Sequence, residues 1–194
     1  MKHQFKTVVV VLLFAVATMV IGRTIEEKKT YKIGDKGPAG GIIFFDRGIN
    51  TKITKFKGWR YLEAAPQDQS DNAAWSAGGT SITGATGLEL GNGAVNTAKI
   101  LAVHGTAAHA ASLCANYKGG GKTDWYLPSK KELNLLYTNL KKKGLGLFAN
   151  QEYWSSSESE EAYAWYQGFA DGAVDSNTKT NQLRVRAVRA FNIE

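Results

Sequence analysis

Cysteine is almost missing from this chain. Cys114 is the only one in 194 residues, so no internal disulfide can form and no cysteine zinc site can be built. The core alone must hold the fold, and the length suffices for that. Histidine is scarce as well: of three, only His104 and His109 follow the N-terminal segment. They do not share a helix face as i, i+4 ligands would, and no acid stands at a useful spacing, so they read as surface or half-buried side chains rather than a metal pair. Three prolines stand against 21 glycines, a balance that favours a turn-rich β or α+β fold over a helical bundle. No fixed-period repeat is present. The GGGKT stretch at 119–123 ends like a phosphate loop, but Asn116 stands where the first glycine belongs, and a helix precedes it instead of a strand. It reads as a helix stop and a turn.

What is present is an ordinary globular composition, 43% hydrophobic and 21% charged. Lys2 and Lys6 precede an unbroken apolar run of 16 residues, Thr7 to Gly22. A basic start and a short apolar core read as a secretory signal peptide, slightly short for a membrane span. Val20 and Gly22 supply small residues for cleavage before Arg23, with Ala15 and Ala17 as another cut; an uncleaved anchor is the alternative. No cysteine lies nearby for lipoprotein anchoring. The expected organisation is leader 1–22, polar lead-in 23–30 and one domain over 31–194, exported to the periplasm, the cell surface or the medium. Without the leader 22 basic and 17 acidic residues remain, a net of +5. That excess attracts polyanions or serves solubility. For an exported chain it does not point to nucleic acid, nor to a membrane once the leader is removed.

Along the chain, Gly37–Gly41 reads as a tight turn before a buried strand at Ile42–Phe45. Trp59–Ala64 alternates as a second strand, with Trp59, Tyr61 and Glu63 on one face and Arg60, Leu62 and Ala64 on the other. Residues 66–94 are rich in Gly, Ser, Thr and Asn, a long irregular stretch carrying Trp75. Asn96–Tyr117 is alanine-rich and helical, broken at Gly105; Ala107, Ala111, Cys114 and Ala115 share a face of its second piece. Ser129–Leu140 is the clearest helix. Ser129 and Glu132 form a capping box, Leu133, Leu136, Tyr137 and Leu140 form one stripe, and Lys141–Lys143 sit at the negative end of the dipole before Gly144. Strands follow at Tyr153–Ser156, Ala162–Phe169, Ala173–Ser176 and Arg184–Phe191, with Asp171-Gly172 as a hairpin turn. The order points to α+β, antiparallel strands with two main helices.

Three chemistries compete for EYWSSSESEE, residues 152–161. Ser155, Ser156 and Ser157 lack the G-x-S-x-G elbow of a hydrolase, and only His104 or His109 could serve as base. They read as strand residues beside a buried Trp154, with SESEE as an exposed turn. No cofactor is implied. Calcium is the one ion left open, through Glu158, Glu160 and Glu161 with Asp171 or Asp175, though without EF-hand spacing. Basic residues offer the remaining site: Lys52, Lys55, Lys57 and Arg60, then Lys141, Lys142 and Lys143, form candidate patches for sulfated or acidic polymers, and Trp75 would stack on a sugar ring if exposed. Of Arg184, Arg186 and Arg189, at least one is expected to turn inward and pair with an acid.

Six phrases in order, YKIGDKGPAGGIIFF, GWRYLEAAP, DWYLPSKKELNLLY, YWSSSE, AWYQGF and VRAVRAF, resemble the bacterial domain family typified by the C-terminal domain of the Legionella collagen-like adhesin. The resemblance covers about residues 31–192. It implies an exported or surface domain with a C-type-lectin-like α+β fold. It also implies a non-enzymatic module for glycans or polyanions such as sulfated glycosaminoglycans, with a homo-oligomer as the assembly. This chain lacks the collagen-like Gly-X-Y tract, the Glu-Pro-Asn and Trp-Asn-Asp motifs of calcium-dependent lectins, and the paired cysteines of formylglycine-generating enzymes. An envelope structural or protein–protein interaction domain is the alternative, and a serine hydrolase the third reading.

Overall fold

The computed structural model describes residues 29–49 and 58–193. The expected leader, and with it Lys52, Lys55 and Lys57, lies outside the described residues. The architecture is α+β. The first strand, β1 (Ile42–Asp46), pairs antiparallel with β2 (Tyr61–Ala64), which pairs antiparallel with β8 (Val188–Phe191). A five-stranded sheet runs in the order β3 (Ser70–Ala74), β7 (Gln182–Val185), β4 (Glu152–Glu158), β5 (Tyr163–Gly168) and β6 (Val174–Thr178). All its pairings are antiparallel except β4 with β7, which is parallel.

Three helices complete the described residues: α1 (Asn92–His104), α2 (Ala110–Asn116) and α3 (Lys130–Asn139). Gly105, at φ 67, ends α1 where the sequence placed the break. The N-cap of α3 is as expected. Ser129 Oγ accepts from the Glu132 amide at 3.3 Å, and Glu132 Oε2 accepts from the Ser129 amide at 2.8 Å. Leu133, Leu136 and Leu140 are buried, while Tyr137 is partly exposed.

Several expectations need correction. The irregular stretch 66–94 contains β3, hidden from pattern reading because SDNAA carries no apolar alternation; tertiary pairing with β7 makes it a strand. The expected strand Arg184–Phe191 is two strands in different sheets. The chain crosses between them at Arg186-Ala187. Ala107 lies outside α2 and is exposed, so only Ala111 and Cys114 of its expected face are buried. His109 is fully buried rather than superficial, because its Nδ1 accepts from the Ser112 amide and caps α2.

Two large apolar clusters divide the interior. One gathers Trp75, Ile100, Cys114, Trp125, Leu127, Trp154 and Val185 under α1 and α2. The other gathers Phe44, Leu62, Leu133, Leu136, Leu140, Tyr153, Phe169 and Val188 under α3. A smaller one, Tyr31, Ile43, Tyr61 and Phe191, lies on the opposite face of the three-stranded sheet. Within it, Tyr61 stacks on Phe191 at 5.4 Å, and Tyr31 meets both rings edge-on.

Candidate functional site

The serine run was the sequence's candidate for reactive chemistry. All three side chains are fully buried in β4. Ser155 Oγ donates to the Trp165 carbonyl at 2.7 Å, and Ser157 Oγ donates to the Gly87 carbonyl at 2.7 Å and accepts from the Lys130 amide at 3.0 Å. Ser156 Oγ accepts from the Asn96 side chain at 3.4 Å. These hydroxyls join the central strand to a loop, to α1 and to the start of α3. Trp154 is buried beside them, its ring N–H donating to the Ala73 carbonyl.

Glu158 does not belong to an exposed turn. It ends β4, 4% exposed, and its carboxylate accepts from the Lys179 ammonium at 2.6 Å and from the Thr83 and Gly84 amides. Burial alone would raise its pKa, but these donors hold it below the usual carboxylate range. Lys179 is wholly buried and also donates to the Ser81 and Glu161 carbonyls. The pair pins the 81–84 loop and the β4–β5 turn to β6. Among the described residues no group of three or more His, Cys, Asp or Glu side chains could hold a metal ion.

Trp75 does not meet the condition for sugar stacking. It is fully buried, its ring N–H donates to the Ser155 carbonyl at 2.7 Å, and Lys179 sits over its ring. Pairing of β3 with β7 carries Trp75 inward, into the apolar cluster that includes Ala110, Ala111 and Cys114 of α2. The described candidate cations lie in separate segments. Arg60 is engaged with Asp46, Nε to Oδ1 at 2.9 Å. Lys141–Lys143 form a 3-10 turn after α3, with Lys141 Nζ donating to the Phe148 carbonyl at 2.7 Å and Lys142 and Lys143 exposed. Among the described residues, the buried Trp75 therefore forms no common surface with Lys142 and Lys143.

The inward arginines do more than expected. Arg186, 1% exposed, pairs with Asp68, and Arg184 pairs with the same carboxylate. Arg189 forms a bidentate bridge to Asp124, both contacts 2.8 Å, and reaches Glu63 at 3.2 Å. Glu63 is fully buried and accepts from the Ala39 and Gly41 amides. Desolvation pushes its pKa up. Asp124 is pushed up by burial too, but Arg189 more than offsets this and holds it below the carboxylate range. These contacts tie the glycine turn at 37–41 to β2, β8 and the DWYL segment.

Asp124 and Arg189 of that ion cluster line a cleft. It has a volume of about 560 Å³ and includes Lys29, Tyr31, Lys122, Asp124, Arg189 and Asn192 in its lining. Since Asp124 is bridged to Arg189, the exposed ammoniums of Lys29 and Lys122 give the cleft its net positive sign. Lys29 lies over the Tyr31 ring at 5.1 Å. Neither lysine was singled out as a binding residue from sequence. They lie far apart in the chain: Tyr31 packs on Phe191 of β8, and the bridge between Tyr126 and Val188 brings the segment after Lys122 to the same strand. The cleft thus presents two exposed ammoniums and the Tyr31 ring.

A family model described as the Lcl C-terminal domain matches residues 59–189. No curated protein matches the chain. The match runs from the second strand to the first half of the last, and includes the capped α3, the buried serine strand and the inward arginines. The chain therefore belongs to the Lcl C-terminal domain family, the adhesin-associated family typified by the C-terminal domain of the Legionella collagen-like adhesin.

Proposed function

We propose that this is an exported, non-enzymatic binding module for acidic carbohydrate polymers, of the sulfated glycosaminoglycan type, held at the Lys29–Lys122 cleft. The observation that carries it is the separation of roles among polar groups. Ser155–Ser157, His109, Glu132 and Glu158 are buried and spent on architecture, while Lys29, Lys122, Lys142 and Lys143 remain at the surface. Buried hydroxyls and carboxylates fix a scaffold; exposed cations beside an aromatic wall attract a polyanion. The family's association with an adhesin supports the same reading. We also place the architecture among C-type-lectin-like folds, supported by strands from both ends of the domain meeting in one sheet.

Retention on immobilised heparin tests the function. The parent should be retained and released by salt, and Lys29→Glu/Lys122→Glu should elute at clearly lower salt. Equal elution of parent and variant would remove the cleft from the account. A glycan array positive only for neutral sugars would remove the polyanion.

A further inference from the structure

The loop that follows α3 has a property that the polyanion reading leaves unused. Residues 141–148 read KKKGLGLF. Leu147 sits there with φ 51, the sole non-glycine positive φ among the described residues, and its side chain is 87% exposed. Left-handed backbone is unfavourable for a residue with a Cβ, and an exposed leucine gains no burial in return. Such an outlier persists only when its surroundings impose it.

The surroundings here are explicit. On one side of Leu147, the Gly146 carbonyl accepts from Arg186 Nη1 at 2.9 Å, and Arg186 is itself buried against Asp68. On the other side, the Phe148 carbonyl accepts from Lys141 Nζ, and the Phe148 ring is buried beneath the Arg186 guanidinium at 4.1 Å. The next amide, Ala149, donates to the Tyr153 hydroxyl. Gly144 and Gly146, both at positive φ, make the two bends. The loop is thus clamped on both flanks with a leucine aimed at solvent. Leu145, 38% exposed, stands two residues earlier, and the exposed Lys142 and Lys143 stand beside it, with no ion pair to a described carboxylate.

We propose that this loop docks on an anionic lipid surface, with Leu147 and Leu145 entering the acyl boundary and Lys142 and Lys143 meeting the headgroups. The charge is complementary to such a surface, and apolar tips flanked by cations suit the interface, where each alone is weak. A sulfated polysaccharide would be served by the lysines and gives no use to a rigid outward leucine. Sequence reading left the chain no membrane partner beyond its leader; the clamped loop supplies one that is separate from the Lys29–Lys122 cleft.

The test exploits the buried, unreactive Cys114. Full-length Leu147→Cys is labelled with a polarity-sensitive fluorophore and titrated with phosphatidylglycerol vesicles or with phosphatidylcholine vesicles. Ile82→Cys, at another exposed apolar position (73% exposed), carries the same label as control. The expected result is a blue shift at position 147 with the anionic vesicles only, and none at 82. Adding Lys142→Glu/Lys143→Glu should raise the half-saturating lipid concentration more than about tenfold. Leu147→Gly should denature no earlier than the parent, since glycine relaxes the backbone. Any of four results overturns the proposal: an equal shift at both positions, a shift produced by heparin alone, a concentration-dependent shift without vesicles that signals a second copy, or a clear loss of stability in Leu147→Gly.

Discussion

Replacing Lys179 by methionine gives the sharpest energetic test of how this fold uses charge. The ammonium is fully buried and makes three contacts between 2.6 and 2.7 Å, to Glu158, Ser81 and Glu161. Methionine matches the stem but removes the ammonium over the Trp75 ring and leaves the Glu158 carboxylate, 4% exposed, without its cation. Removing one partner of a buried pair typically costs about 3–5 kcal/mol. The Thr83 and Gly84 amides still bind the carboxylate, so the lower end, about 3 kcal/mol, is expected. Lys179→Met/Glu158→Gln should recover a large part of that loss, because no charge is then stranded. Urea unfolding of the four proteins of this cycle, read by tryptophan fluorescence, gives the coupling directly. A single-variant loss below about 1 kcal/mol, or additive losses, would refute the reasoning.

Three further outcomes follow from the same structure. Ser129→Ala should lower stability by about 1–2 kcal/mol, since it removes the N-cap acceptor and strands the Glu89 carbonyl that the hydroxyl serves, with chemical denaturation as the measure. His104 and His109 are both held below the ordinary histidine range, chiefly by burial, so the unfolded chain binds their protons first and stability falls as pH drops below about 6.5. Thermal unfolding from pH 7.5 to 5.5 should show that fall, and His104→Gln/His109→Asn, which keeps a cap acceptor at 109, should flatten it. Burial pushes the Cys114 thiol well above its ordinary value, so a maleimide should label it only in denaturant; rapid labelling of the native protein would mean that α2 does not pack as described.

The elements legible in the sequence were those with a strong local signal. The α3 capping box, the break at Gly105 and the strand around Trp154 each rest on residues within a few positions of one another. What stayed hidden depends on distant partners. Glu158 looks solvated beside Glu160 and Glu161, and only Lys179 from β6–β7 takes it inside. Trp75 sits in a polar stretch that looks like a surface loop, yet β7 pairs with that stretch and draws the indole under α2. The inward arginines were anticipated as a class, but their acids, Asp68, Asp124 and Glu63, lie far back in the chain. The Lys29–Lys122 cleft had no sequence signal, since its two cations meet only through the sheet.

The most direct test of the central claim, that surface cations and not the buried hydroxyl strand carry the function, is the salt dependence of heparin affinity. With both lysines present, the logarithm of the binding constant should fall linearly with the logarithm of salt concentration. Lys29→Gln/Lys122→Gln should reduce that slope by about one per lysine removed, while Ser156→Ala should leave it unchanged. An unchanged slope in the double lysine variant, or a loss of binding in a folded Ser156→Ala, would contradict the account.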